Sequence, residues 1–173
     1  WEEYATFNPA AVVRDGRIFL LYRAEDASGD EKIGGHTSRL GLATSADGLR
    51  FTRHAAPVLY PARDAQRANE WPGGVEDPRI VEREDGTYVL TYTQWNRDVP
   101  RLAVATSPDL RQWRKHGPAF AGVANDKYLR TESKSGSIVS RLVGDRVVAA
   151  RINGRYWMYF GVPVIRIATS EDL

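Results

Sequence analysis

An all-β fold made of repeated antiparallel units is predicted by three observations. Leu42-Ala43-Thr44-Ser45 recurs as Val104-Ala105-Thr106-Ser107 and again as Ile167-Ala168-Thr169-Ser170, at offsets of 62 and then 63 residues. Each copy is preceded by a glycine that opens an apolar and aromatic run, at 16–22, 86–92 and 154–160. Helical periodicity of useful length appears nowhere, and a 10% aromatic content with five Trp and eight Tyr suits sheets. Two segments that repeat at one common period, in units of about 60 to 70 residues, read as four-stranded blades of a β-propeller. A sandwich or jelly roll would not repeat its second and third strands in this way.

Taken in order, the first unit reads as strands at 10–14, 17–23, 39–44 and 51–54. Asp15-Gly16 supplies the first turn, a long loop the second connection and Asp47-Gly48 the last turn. Asp85-Gly86 and Asn153-Gly154 repeat the first turn signal. After each Ser of the shared motif come an acid and a leucine: Asp47 with Leu49, Asp109 with Leu110, and Asp172 with Leu173. The units fall roughly at 1–60, 61–122 and 123–173, and the third stops before its outer strand. Propellers close with about four to eight blades, so this chain of about three is expected to be completed by the remaining blades of a longer parent.

Composition narrows the function classes. With 42% hydrophobic and 27% charged residues the chain can bury a core. Its net charge of +2, from 24 basic and 22 acidic residues interspersed along the sequence, argues against nucleic-acid and membrane-surface partners. No apolar run approaches the roughly 18 residues of a membrane helix. The absence of cysteine removes disulfides, thiolate nucleophiles and thiolate metal sites. His36, His54 and His116 are scattered without ligand spacing, so neither a metal nor another cofactor is expected. Lys134-Ser135-Gly136-Ser137 lacks the glycine spacing and following helix of a phosphate loop, and no nucleophile-elbow motif is present.

Function is expected where the inner strands of the blades begin, because these line a shared axial pocket. Alignment on the turn glycines sets Phe7-Asn8-Pro9-Ala10 against Glu76-Asp77-Pro78-Arg79, which makes Asn8 and Asp77 equivalent. Asn-Pro and Asp-Pro also serve simply to start strands. Here, though, Glu76, Asp77 and Arg79 cluster behind Trp71-Pro72-Gly73-Gly74, and adjacent acids beside an arginine at a pocket mouth are costly unless used. Tyr22-Arg23-Ala24-Glu25-Asp26 and its counterpart Tyr92-Thr93-Gln94-Trp95-Asn96 end the second strands, either as solvated ends or as sugar contacts. A sugar site takes forked donors and flat aromatic faces, and Arg23, Asn96, Trp95 and Trp71 supply both. Lys134 is a candidate to enter the pocket from the third unit, His36 to reach it from the long loop, and Trp157 reads as core.

These motifs together resemble glycoside hydrolase family 130: Phe7-Asn8-Pro9-Ala10, Leu21-Tyr22-Arg23-Ala24, Gly41 through Gly48, Glu76-Asp77-Pro78-Arg79-Ile80 and Gly154-Arg155-Tyr156-Trp157-Met158-Tyr159. The resemblance implies a five-bladed propeller that cleaves β-mannosides with inversion, by phosphorolysis in some members and by hydrolysis in others. It makes Asp77 the general acid, with Asn8, Arg23 and Arg79 around the sugar at the cleaved end. Asp26, His36, Arg39, Glu76, Trp95, Asn96 and Lys134 are the further substrate-binding candidates. Where the resemblance implies a phosphate-clamping Arg after the third repeat, the chain has Tyr159-Phe160-Gly161. Lys134 through Val139, Gly73-Gly74 and Thr91 through Trp95 are similar to the hydrolytic branch, which includes β-1,2-mannosidases. Hydrolysis is therefore the first expectation and phosphorolysis the alternative. Another propeller glycosidase or a non-catalytic glycan-binding propeller are the readings from outside the family. Hydrolysis also needs a carboxylate base roughly 6.5 to 9.5 Å from the acid, for which Glu132 is the in-chain candidate.

Overall fold

The computed structural model describes residues 1–28 and 35–173 and is almost entirely β. The first blade is β1 (Ala5–Arg14), β2 (Arg17–Glu25), β3 (Ser38–Ser45) and β4 (Thr52–Arg53), paired antiparallel in that order. A single helical turn, α1 (Arg67–Glu70), precedes the second blade. That blade is β5 (Gly74–Glu82), β6 (Tyr88–Trp95), β7 (Pro100–Ser107) and β8 (Arg114–Pro118), again a meander. Both meanders follow the predicted order, and β1 begins earlier than expected, so that Asn8 lies inside it. The chain is a partial β-propeller.

The third unit departs from the pattern. Its inner strand is split into β9 (Ser137–Ile138) and β12 (Arg151–Ile152), both paired with β13 (Arg155–Phe160), which in turn pairs with β14 (Arg166–Ser170). Between the two halves a hairpin leaves the sheet, β10 (Ser140–Val143) and β11 (Arg146–Ala149). It reaches back to the second blade, where Val148 bridges Glu82 and Arg146 Nε donates to Glu82 Oε2 at 2.9 Å.

The turn chemistry explains the repeats. Asp15-Gly16 and Asn153-Gly154 place both residues at positive φ (51° and 68°, 51° and 78°), which gives two-residue hairpins whose twist matches the strands. Ser45 Oγ accepts the amides of Asp47 and Gly48 at 3.2 and 2.9 Å, and the Asp47 carboxylate accepts those of Leu49 and Arg50, both at 2.9 Å. Ser107 and Asp109 repeat the arrangement on Leu110, Arg111 and Gln112. The recurring Ser-x-Asp thus caps a tight turn at the same place in each blade.

The core lies between blades. Leu21, Leu40 and Leu42 of the first meet Val75, Leu90 and Tyr92 of the second, all at most 1% exposed. A smaller cluster of Val81, Val89, Ile138 and Ala149 joins the second blade to the third. Each fully buried aliphatic side chain contributes about 1.5 to 3 kcal/mol. The middle strands β2 and β6 are covered on both faces, which is why they read as continuous apolar runs rather than alternating ones. No helix among the described residues is long and apolar enough to cross a membrane.

Candidate active site

The site is built on a bulge that occurs in all three units. Phe7 pairs with Arg23 and Ala10 with Leu21, so β1 takes three steps where β2 takes two. Glu76 pairs with Thr93 and Arg79 with Thr91 in the same way. In the third unit the Gly161 amide donates to the Lys134 carbonyl at 2.8 Å while Ser137 pairs with Tyr159. The extra residue is Asn8, Asp77 and Ser135 respectively, each in the left-handed region at φ 46°, 49° and 58°. Such a conformation is uncommon outside glycine and best tolerated by Asn and Asp. The proline that follows Asn8 and Asp77 needs no ladder partner at a bulge.

The bulges bring distant residues together. Asn8 Nδ2 donates to Asp77 Oδ1 at 2.8 Å, across two blades. Arg23 reaches the same oxygen through Nη1 at 3.2 Å. Its Nη2 donates to Glu25 Oε1 at 2.7 Å and Glu76 Oε1 at 2.8 Å, and its Nε to Ser38 Oγ at 2.9 Å. The guanidinium also lies 4.7 Å from the Phe7 ring centroid. Asn8, Arg23, Glu76 and Asp77 therefore form one cluster. Glu25 and Ser38 join it without having been singled out in the sequence. Glu25 was signalled by its spacing, since residues two apart on a strand share a face.

Gly74 makes the junction possible. It bridges Ser38 in parallel, and a Cβ there would lie 2.1 Å from the Ser38 carbonyl oxygen. Only glycine allows β3 and β5 to touch at this point, with φ at +107°. Ser38, and through it Arg23, is thereby fixed against the strand that carries Asp77.

The electrostatics are uneven. Burial pushes Glu76 up to about 7, with Asp77 and Glu25 adding to the rise and Arg23 and Lys134 opposing it. Burial works against the Arg23 charge, but Glu76, Asp77 and Glu25 more than offset this and hold the guanidinium protonated. Within the cluster Asp77 has the most accessible carboxylate, its side chain 19% exposed against 7% for Glu25 and 11% for Glu76. A partly open carboxyl held by two donors can transfer a proton to a bound group.

The other expected site residues are placed differently. Arg79 is exposed on β5 and has no hydrogen bond or ion pair among the described residues, so it is not bonded into the cluster; the bulge leaves it on the face of Glu76, since their partners Thr91 and Thr93 are two apart on β6. Asp26 and Arg39 pair with each other at 2.5 Å at the end of the first blade. Asn96 accepts the amides of Asp98 and Val99 and donates to the Ala68 carbonyl, which makes it a turn cap. Trp95 packs on Gly73, where a Cβ would meet its ring at 2.1 Å. His36 is buried beneath the Tyr4 ring, centroids 3.9 Å apart, and neither of its ring nitrogens has a hydrogen-bond partner among the described residues. Residues 29–34, which include Gly34, lie outside the described residues. Lys134 comes close enough to act on Glu76. Glu132 lines a different cavity, about 650 Å3 in volume, between the second and third blades among Phe120, Met158 and Phe160.

A second buried polar cluster gave no sequence signal. Glu70 of α1 is fully buried, pairs with Lys115 Nζ at 2.5 Å and accepts from Tyr92 Oη at 3.1 Å and Gln94 Nε2 at 3.0 Å. It ties the segment before β5 to the second blade. Among the described residues no group of three or more His, Asp or Glu side chains is arranged to hold a metal ion.

Comparison with known proteins agrees with this architecture. The family 130 profile, described as beta-1,4-mannooligosaccharide phosphorylase, matches residues 2–173. The 1,2-beta-oligomannan phosphorylase of Thermoanaerobacter sp. (strain X514) is 35% identical over 177 residues, spanning all of this chain and 52% of that protein. The beta-1,2-mannobiose phosphorylase of the same strain is 33% identical over 148 residues, 80% of this chain and 47% of its own length. Another match is a solved structure from a report that the family's mannoside phosphorylases contain glycoside hydrolases targeting β-1,2 mannosidic linkages in Candida mannan. It is 55% identical with a TM-score of 0.96, covering 99% of this chain and 48% of that one. The chain spans about half the length of these relatives. With five ordered motifs, the repeated bulge and a match along almost its whole length, the chain belongs to glycoside hydrolase family 130.

Proposed function

We infer that this chain supplies the acid-bearing part of an enzyme that cleaves β-1,2-linked mannosides with inversion. The observation that carries this reading is the Asp77 carboxyl, set on a left-handed bulge at the meeting of two blades and held there by Asn8 and Arg23. When the bond between the mannose C1 and the bridging oxygen breaks, that oxygen leaves with the electron pair and takes a proton originating at Asp77. The transfer is direct or passes through a sugar hydroxyl. The acceptor attacks C1 from the opposite face. The substrate class follows the activities named for the relatives.

The acceptor is phosphate or water, and the curated relatives weight it toward phosphate, since both are phosphorylases. This displaces the sequence expectation of hydrolysis from first place. Hydrolysis keeps one specific observation. Gly161 is the register equivalent of Arg23 and Thr93, and the place of its side chain is taken by the Val164 carbonyl oxygen, 2.5 Å from where a Cβ would stand. No clamping side chain fits there. Under hydrolysis the base is Glu132 or comes from the remaining blades, because Glu25 and Glu76 are both committed to Arg23. Anomer-resolved product analysis of the full-length protein on β-1,2-mannobiose, with and without phosphate, tests the reading. α-Mannose 1-phosphate marks phosphorolysis and α-mannose marks hydrolysis. Absence of cleavage under both conditions overturns it.

A further inference from the structure

Arg23 meets three carboxylates: Glu25 at 2.7 Å, Glu76 at 2.8 Å and Asp77 at 3.2 Å. An arginine paired with a single carboxyl favours its charged form, the wrong state for a group that must give up a proton. Here the guanidinium is largely occupied elsewhere. Nη2 is shared by Glu25 and Glu76, Nε is bound to Ser38, and Nη1 is the nitrogen left for Asp77. When both buried glutamates are ionised they outweigh the single positive charge before Asp77 is counted.

We propose that Glu76, together with Glu25, is a positioning residue that offsets the charge of Arg23, so that Arg23 aims Asp77 while Asp77 stays able to carry the proton the departing sugar takes. The proposal rests on the reading of Asp77 as the acid. It gives Glu76 a role other than substrate contact, in keeping with a side chain only 11% exposed and an oxygen already on Arg23. The charged groups facing Glu76 are Arg23 and Glu25 from β2, Asp77 from its own strand and Lys134 from the third unit. Because burial brings Glu76 up to about 7, its charge and hence the offset change across the neutral range.

The test is the pH dependence of kcat/KM on β-1,2-mannobiose for the full-length protein and four variants: Glu76→Gln, Glu76→Asp, Glu25→Gln and Asp77→Asn. Gln keeps an oxygen for Arg23 Nη2 and removes the charge. Loss of that charge favours the ionised form of Asp77, so the alkaline limb moves to lower pH by about one unit, a tenfold loss at a fixed pH on that limb. Glu25→Gln moves it the same way and serves if Glu76→Gln does not fold. Glu76→Asp keeps the charge and keeps the limb in place. A Glu76→Gln or Glu25→Gln profile that is merely scaled down, with its limbs unmoved, overturns the proposal while loss of turnover in Asp77→Asn leaves the acid reading standing. Normal turnover of Asp77→Asn overturns the acid reading and the proposal with it.

Discussion

Asn8 and Asp77 stand 69 residues apart in sequence and touch through their side chains, Nδ2 to Oδ1 at 2.8 Å, each on the extra residue of a bulge in its own blade. The contact fixes the orientation of the carboxyl from the side opposite its own strand. Replacing Asn8 by Ala is expected to lower kcat/KM by about tenfold, the worth of one hydrogen bond that orients the carboxyl. Because Ala tolerates the left-handed φ of 46° less well than Asn, a modest loss of stability of about 1 kcal/mol should accompany it. Steady-state kinetics beside a thermal melt separates the two effects.

Arg23→Met removes the cation from between the buried Glu25 and Glu76 and leaves them without their charged partner. Breaking a buried pair in this way costs about 3 to 5 kcal/mol. Arg23→Lys restores the charge but not the fork that reaches Ser38, Glu76 and Asp77 together, so it should destabilise less and still impair turnover. Urea unfolding of both variants measures the difference.

Glu76 makes stability depend on pH in a predictable direction. Its carboxyl titrates near 7 in the folded chain against an ordinary value near 4.5, so between those values the folded state holds a proton that the unfolded state has lost. Its contribution to stability is complete below about 4.5 and is lost as the pH rises through 7, a change on the order of 3 kcal/mol. Chemical denaturation of the wild type and of Glu76→Gln across this range should show a shallower slope in the variant, the remainder including that of Glu70, whose carboxyl burial also raises.

Lys115→Met leaves Glu70 charged and without its cation in a site where it has no exposure to solvent. About 3 to 5 kcal/mol of destabilisation is expected. Burial already raises the Glu70 carboxyl against Lys115, Gln94 and Tyr92, so the variant should recover stability as the pH is lowered. Thermal melts at two pH values check this.

The fold was legible because turn chemistry and apolar runs are local. Asp15-Gly16, Asp47-Gly48 and Asn153-Gly154 are all readable within a few residues, and each formed the turn it signalled. Asn8 and Asp77 were legible as equivalents because the repeat carried them. The β10–β11 hairpin was not, since it interrupts the repeat and is held by long-range partners such as Glu82. Glu70 and Lys115 meet only through tertiary packing, 45 residues apart.

The central claim is that Asp77 donates the proton that frees the leaving sugar. Its most direct test is the turnover of β-1,2-mannobiose by full-length Asp77→Asn, with binding measured on the same preparation. Asn keeps the size and hydrogen bonding of the side chain but has no proton to transfer, so turnover should fall by about 100-fold or more while the dissociation constant stays near that of the wild type. Turnover close to the wild-type rate, with binding intact, would contradict the account.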